Sequence, residues 1–515
     1  MVSRSLSTML LLALLVASCA NTQEQTVGKP TNAPVAIDPL PALTTTTAAS
    51  TPDTTTSSST TTTTTEPPPV GLVPAQSVGA SWGSVNGLTM FRGNPTHTFY
   101  GTGPLPDGIE VLWRFPEQPM CGHSPLNGVD KVWCGSGWTG QPVVWERPDG
   151  TTEVIFGGYD KNIHFLDAAT GERTRPDFFM GDIIKGSVTL DPDGYPLLYA
   201  GSRDSRFRII ALDRDEPTEL WSLDAYSVDG MWNNDWDSNP VIVDDVLLEG
   251  GENSWWFAVK LDRKRDETGQ VTVQPEILYQ TPTWTDELVR AVGSQHSVES
   301  STAVFEDTAY FATGAGRIVG IDISDLSTDG DKIVFDFWMG DDVDASIVID
   351  ADGMLYVASE IDLRTERGAE IGQLAKLDPT RPDEPLVWSI AIPGTATLDG
   401  GVWATPALSG TVLFVLTNPG EVIAVDTADG TVLWRDDVGA HAWSSPVVIG
   451  DTLVVSIDCD GNSGFRAYDI IDPRHPIMRW ESRVTGGCIE STPAVWGGRL
   501  YVGSRDGFFY ALGAK

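Results

Sequence analysis

Positive charge is scarce in this sequence. Lys and Arg total 33 against 71 Asp and Glu, a net charge of −38 over 515 residues. A chain so acidic repels a phosphate backbone instead of releasing counterions from it, which argues against nucleic acid as a partner. Histidine is sparse as well: His97, His123, His164, His296, His441 and His475 are dispersed without metal-ligand spacing. GxSxG, HExxH and P-loop patterns are missing, which removes the usual signs of hydrolytic and nucleotide chemistry. Cysteine is limited to five, with no CxxC and no adjacent pair. Helix-favouring runs of Ala, Glu, Lys and Leu are few, and beyond the N-terminus no apolar run is long enough to span a bilayer.

Abundant instead are 52 Gly, 34 Pro and 18 Trp, the composition of many short strands joined by tight turns. The expected class is all-β.

The N-terminus, "MVSRSLSTMLLLALLVASCANTQ", carries one early cation at Arg4, an apolar run from Met9 to Val16 and small residues before Cys19. A run this short is a leader core and not a membrane span. "VASC" (Val16 to Cys19) resembles the lipobox of bacterial lipoproteins. That resemblance implies a leader over 1–19, removed so that Cys19 becomes the first residue and carries lipid. The chain would then be extracytoplasmic and held to the cell membrane by that lipid alone. Setting Cys19 aside leaves Cys121, Cys134, Cys459 and Cys488, an even set that reads as two disulfides in an exported domain. Proximity along the chain favours Cys121–Cys134 and Cys459–Cys488 among the three possible connectivities.

Residues 20–78 are dominated by Thr, Ser, Pro and Ala, as in "TTTTAASTPDTTTSSSTTTTTTEPPP". Too few large apolar groups are present there to offset chain entropy, so a stalk without a fold is expected.

From residue 79 to 515 one pattern recurs: a small hydroxyl or Pro cluster, an apolar strand, an alternating strand, an "xxAxD" strand, a turn, and a fourth strand ending in an aromatic. "WATPALSGTVLFVLTNPGEVIAVDTADGTVLWRDDV" from Trp403 is the fullest copy. Eight openings are found, and one such unit alone cannot bury both faces of its sheet. The predicted fold is an eight-bladed β-propeller of four-stranded blades. Asp-Gly in "DPDGY" (Asp191 to Tyr195) and "DADGM" (Asp350 to Met354) reads as hairpin turns. Trp221, Trp388, Trp434 and Trp480 mark fourth strands and are expected to wedge between blades. The final unit, "RLYVGSRDGFFYALG", lacks its fourth strand, and "GIEVLWRFP" (Gly108 to Pro116) is an isolated copy of one. Pairing of the two closes the ring and leaves no free edge.

These repeats, with "AVDTADGTVLW" (Ala424 to Trp434) and "FLDAATGER" (Phe165 to Arg173), resemble the pyrroloquinoline-quinone-like (PQQ-like) propeller superfamily, as does the lead-in "FRGNPTHTFYGTGPLPDGIEVLWRF". The likeness implies the fold; functions within the superfamily range from quinoprotein dehydrogenases to envelope assembly lipoproteins and binding platforms. Its dehydrogenases hold the quinone in the central channel with Ca²⁺, a catalytic Asp and commonly a disulfide between adjacent cysteines. Here the Trp236–Asp237 pair in "NNDWDSNPV" is similar to the pair that carries the catalytic Asp, while adjacent cysteines and a haem attachment motif are missing.

Aligning the openings puts Thr139, Lys185, Asp237, Glu299, Asp344, Trp403, Trp443 and Glu490 at the start of the innermost strands, facing the channel. Such a set suits Ca²⁺, an amine or a cationic peptide, with Trp as a stacking face; a water-filled channel is the alternative. His296 lies near one of these starts. Asp458, Asp460 and Asn462 in "DCDGNSG" open like a calcium loop, but Gly is missing at its sixth position and Asp469 stands where Glu is usual. A polar hairpin pinned by Cys459 is the alternative there. Three longer inserts, "DRKRDETGQVTVQPE", "TPTWTDELVRAVGSQ" and "SEIDLRTERGAEIGQ", are the expected contact loops. The reading as a whole is a monomeric, lipid-anchored envelope platform for an envelope or extracellular protein or a small cationic ligand, with no cofactor assigned; the alternative is a PQQ- and Ca²⁺-dependent dehydrogenase of alcohols or sugars with Asp237 as its catalytic residue.

Overall fold

The computed structural model describes residues 71–514 except 127, 139, 440, 441, 458 and 460. Cys19, the expected leader and the stalk as far as residue 70 lie outside the described residues. Residues 71–78, expected to be stalk, are part of the fold: Val73 is fully buried and exchanges backbone hydrogen bonds of 3.0 and 2.7 Å with Glu306.

Eight antiparallel sheets are arranged as blades, each with four strands counted outward from the axis; the first blade gains a fifth strand, Gly87–Leu88, on its inner edge. The sixth blade is typical, with strands Ala407–Ser409, Val412–Leu416, Glu421–Asp426 and Val432–Asp437. "VLFVL" on its second strand is buried throughout, because neighbouring blades cover both faces. Its fourth strand lies at the rim and is only partly covered.

The eighth blade closes as its sequence requires. Glu110–Phe115 pairs with Phe509–Gly513, setting Phe115 opposite Phe509 and Arg114 opposite Tyr510. Phe509 in turn stacks on Phe156 of the first blade, with ring centroids 3.8 Å apart and planes 6° from parallel. Burial of each ring is worth roughly 1.5–3 kcal/mol, so the seam between the chain's two ends is among the well-packed contacts of the ring.

Fourth-strand tryptophans latch one blade to the next. Trp113 Nε1–H donates to Ala168 O at 3.1 Å, Trp388 to Thr427 O at 3.1 Å, and Trp480 to Pro106 O at 3.0 Å. The indoles of Trp113 and Trp388 lie flat over Gly171 and Gly430, where an added Cβ would approach within 2.7 and 2.9 Å of the rings. Both glycines also have positive φ, 74° and 77°, so "ATG" and "ADG" satisfy turn and latch together.

A belt of short polar side chains surrounds the axis. Gln141 N–H donates to Ser187 Oγ at 2.8 Å, Ser187 N–H to Asn239 Oδ1, Asn239 Nδ2 to Ser301 Oγ at 2.6 Å, Ser301 N–H to Ser346 Oγ at 2.9 Å, Ser346 N–H to Thr405 Oγ1 at 2.9 Å and Thr405 N–H to Ser445 Oγ at 3.0 Å. Thr492 N–H, donating to Gly140 O at 3.0 Å, joins the eighth blade to the first. This is the reason for the hydroxyl cluster at each opening: innermost strands converge too closely for large side chains, and each backbone N–H needs a buried acceptor.

Because strands alternate in direction, the connections leading into first strands and those joining second to third strands share one face, here called the mouth. The opposite face is closed by the lead-in. Thr89, Pro95 and Thr96 accept backbone bonds from Leu190, Val304 and Ile349 at 2.8, 2.8 and 3.1 Å, and Tyr100 Oη accepts from Leu408 N–H at 2.7 Å. Arg92, fully buried, reaches the belt itself: its N–H donates to Gln141 Oε1 at 2.8 Å and its guanidinium to Thr405 O.

Candidate ligand site at the channel mouth

Each residue of the predicted ring stands four positions before the first residue of an innermost strand, and two before the belt. The alignment therefore holds its register around the ring. Thr139 lies outside the described residues; of the other seven, Trp403 meets Trp443 and Lys185 meets Asp237.

Two indoles from adjacent blades meet. Trp403 and Trp443 stack with centroids 4.0 Å apart and planes 23° from parallel, and Trp443 Nε1–H donates to Asn418 Oδ1 at 2.9 Å. Trp138, next to Thr139 in sequence, completes a triad at 5.6 and 5.7 Å from the pair. The Lys185 ammonium lies 5.2 Å from the Trp138 ring centroid. It is bonded to the Asp237 carboxylate of the next blade and stands 3.5 Å from Glu252 Oε1. Asn233 Nδ2 donates to the other Glu252 oxygen at 2.8 Å, and Arg203 pairs with Asp235. On the eighth blade, Glu490 is 3.5 Å from Arg505, whose guanidinium lies over Tyr159 at 4.7 Å and Trp133 at 5.6 Å.

The fourth and fifth blades contribute acids. Glu299 and Asp344 are half-buried, while Asp342 and Glu360 are buried beside them. Gln295 Nε2 donates to Asp342 Oδ2, and Glu360 N–H donates to Asp342 O at 2.8 Å. The loop carrying Glu360 is shaped by Asp341, whose carboxylate accepts from the N–H groups of Asp362, Leu363 and Arg364 at 3.0, 2.7 and 3.1 Å.

The crowding shows in the acidities. Burial, then repulsion from Asp344 and Glu299, pushes the Asp342 carboxyl well above its usual range; Glu360 follows by burial and by Asp344 and Asp342. Glu252 is raised well above normal by burial and by Asp237, against the pull of Lys185. Burial and Asp237 carry Asp235 up to about 6. Asp237 moves the other way: burial opposes its charge, but Lys185 and hydrogen bonds from Glu252 and Lys185 outweigh it. For Lys185 burial disfavours the charge, and Asp237, Glu252, Glu299 and Asp235 more than compensate. Glu490 is raised by burial, which Arg505 only partly offsets.

Sequence reading missed Trp138, Asp235, Glu252, Asp342, Glu360, Arg203 and Arg505. Part of the signal was present: Arg203, Glu252, Glu360 and Arg505 each follow a second strand by one or two residues, at the turn that faces the mouth.

Other expectations fare differently. The insert at 262–276 runs from the third strand of the third blade into its fourth and so lies on the face opposite the mouth; those at 281–295 and 359–373 do border it, each with a short helix, Asp286–Val292 and Glu366–Ile371. His296 is buried, its Nε2 3.0 Å from Gly293 O. Asp458 and Asp460 lie outside the described residues, and Asn462 is exposed with its carbonyl accepting from Arg483 at 2.8 Å. Disulfides join Cys121 to Cys134 and Cys459 to Cys488.

A family model described as "Outer membrane protein assembly factor BamB" matches residues 370–507. The comparison with curated proteins finds no match. Among solved structures, the quinohemoprotein alcohol dehydrogenase ADHIIG of Pseudomonas putida HK5 is 11% identical, with a TM-score of 0.56 over 87% of this chain and 84% of that one. A europium-containing methanol dehydrogenase is 14% identical at TM-score 0.53, over 83% and 98%. The quinohemoprotein alcohol dehydrogenase of Comamonas testosteroni is 12% identical at 0.52, over 83% and 80%. This chain is a PQQ-like propeller. At such identities the structural likeness is one of fold alone.

The resemblance to quinoprotein dehydrogenases implies a quinone with Ca²⁺ in the channel, and the residues here can be tested against that group. Asp235, Asp237 and Glu252 bring carboxylate oxygens within 4.8 Å of one another, a donor set that suits a hard cation. Lys185, however, is already bonded into that set. Trp236 turns away from the channel to be fully buried between Phe207 and Phe257, at 5.8 and 5.7 Å. Both disulfides join residues well apart in sequence, so the adjacent-cysteine feature is not reproduced. As they stand in this PQQ-like propeller, these residues do not fit a quinone–calcium pair.

Proposed function

We propose that this protein is an extracytoplasmic binding platform that takes a cationic group of a partner protein or small ligand at its channel mouth. Anchorage through lipid on Cys19, with residues 1–19 as the leader and the Thr-rich segment as a stalk, belongs to the same reading. The observation that carries it is the composition of the mouth: Trp138, Trp403 and Trp443 form an aromatic wall, and the fourth and fifth blades carry Glu299, Asp344 and their acidic neighbours at the same register. Carboxylates supply long-range attraction for a cation, and indole faces are the best side-chain surfaces for cation–π contact. Two disulfides favour an oxidising compartment, and the family model that matches residues 370–507 is described as an outer membrane protein assembly factor.

Tryptophan fluorescence of the full chain, titrated with spermine and with a Lys-rich peptide at low salt, tests the reading. Saturable quenching that weakens in Glu299→Gln and Asp344→Asn supports it; no response at low salt removes it. Thermal scans with Ca²⁺, with PQQ and with both address the dehydrogenase alternative, because a ligand bound only by the folded state raises the midpoint. A rise requiring both, lost in Asp237→Ala, would favour the enzyme.

A further inference from the structure

We infer that the ε-ammonium of Lys185 is the resident cation of this channel, standing among the carboxylates of Asp235, Asp237 and Glu252 where a divalent ion would otherwise be held. The inference does not rest on the reading of the mouth as a ligand site.

The geometry is that of a filled cation site. Lys185 stands four residues before the innermost strand of the second blade and Asp237 four before that of the third, and Glu252 comes from the third blade's turn between second and third strands. The ammonium is bonded to Asp237 and lies 3.5 Å from Glu252, and the side chains of the three are 9%, 1% and 2% exposed. Oxygens that share one calcium ion, at about 2.4 Å each, are at most about 4.8 Å apart. The nearest carboxylate oxygens of Asp235, Asp237 and Glu252 meet that limit. A second observation points into the same space: Asp237 Oδ1 is buried and accepts no hydrogen bond among the described residues, so it has lone pairs to offer.

Three buried carboxyl groups need compensation: Arg203 pairs with Asp235, and Lys185 provides it for Asp237 and Glu252. An ammonium brings one positive charge and three donors, and it is tethered, so it cannot be lost to dilution or to a chelator. A calcium ion would bring two charges and demand six to eight oxygens. With the amine in place, the channel keeps its shape without metal and presents the aromatic wall and the acids of the fourth and fifth blades to whatever enters. Without it, the same oxygens face a gap of cation size.

Terbium luminescence, sensitised by nearby indoles such as Trp138, reads out the site directly in the full-length protein. Lys185→Met is expected to bind one Tb³⁺, displaceable by Ca²⁺, at least roughly tenfold more tightly than the unaltered protein, where Tb³⁺ meets only the diffuse acidic surface. Lys185→Arg should behave as the unaltered protein, and Asp237→Asn added to Lys185→Met should remove the site. If Lys185→Met does not fold in metal-free buffer, Ca²⁺ is expected to restore folding. Equal affinity in the unaltered protein, a folded Lys185→Met variant that gains no Tb³⁺, or one that stays unfolded in Ca²⁺ would each overturn the inference. Loss of amine binding in Glu299→Gln with the Tb³⁺ pattern intact would test the mouth separately.

Discussion

Trp403 and Trp443 occupy the same register position in adjacent blades, and their rings stack 4.0 Å apart at the channel mouth. Removal of either should cost an amine ligand one wall of its site. Trp403→Ala is expected to weaken spermine binding by about 0.5–2 kcal/mol, the span of cation–π contacts, with little change in unfolding temperature because the residue is only half-buried. Fluorescence or calorimetric titration reads the first effect and a thermal scan the second.

Acid should empty the mouth. Asp235 titrates at about 6, so it is charged at pH 7.5 and mostly neutral at pH 5. Affinity for a cationic peptide should therefore fall as pH drops through about 6, and Asp235→Asn should flatten that part of the profile. Stability responds in the opposite sense. This carboxyl binds its proton more tightly folded than unfolded, so its contribution is present at low pH and is lost as pH rises from about 4 to about 6.

His97, at the closed end, behaves as a neutral core histidine. Burial lowers its pKa from 6.5 to about 4, against a hydrogen bond from Nδ1 to Ile347 O at 2.6 Å. The unfolded chain takes up this proton first, so stability should be full above pH 6.5 and decline as pH falls toward 4. The contribution is up to about 3 kcal/mol at 1.36 kcal/mol per pKa unit. A series of denaturant midpoints across that window, compared with His97→Gln, checks it.

Closure by the chain's two ends makes Phe509 a critical core residue. Phe509→Ala leaves a cavity against Phe156 and Trp113 and should cost about 3–5 kcal/mol. Deletion of 108–116 should be worse, exposing the edge of Phe509–Gly513 and promoting association, which light scattering would detect.

The polar belt predicts a penalty larger than the size of the change. Ser346→Ala removes one oxygen, but that oxygen accepts from the buried Ser301 N–H. An unmet buried donor costs about 1–3 kcal/mol, so a clear drop in unfolding midpoint is expected. Ser346→Thr, which keeps the hydroxyl, should recover part of it.

Much of this fold was legible because its repeats are local. Hydrophobic alternation recurs in the blades, with terminal tryptophans in most of them, and the missing last strand could be matched to Glu110–Phe115 by pattern alone. The same repeat sets Lys185, Asp237 and Glu490 at one constant offset, four residues before each innermost strand. The start of the folded body was misread by several residues: 71–78 carry Leu72 and Val73 in an otherwise stalk-like stretch, and only the distant partner Glu306 reveals that they pack. The insert at 262–276 was assigned to the contact loops although strand order puts it on the far face.

The sequence by itself determined the class, the number of blades and the closure, because each depends on spacing within one blade or between identical turns. Only the tertiary structure decided how the acids are shared out. Asp235 and Asp342 stand two residues before ring positions 237 and 344, but Glu252 and Glu360 come from the turns after the second strands, and each meets its acidic neighbour only because that turn folds back on the entry to the same blade, Glu252 N–H donating to Asp235 O and Glu360 N–H to Asp342 O. It also decided that Trp236 serves the core while Asp237 serves the channel: successive residues of an extended chain point to opposite sides, and the register against the next blade selects which side is which.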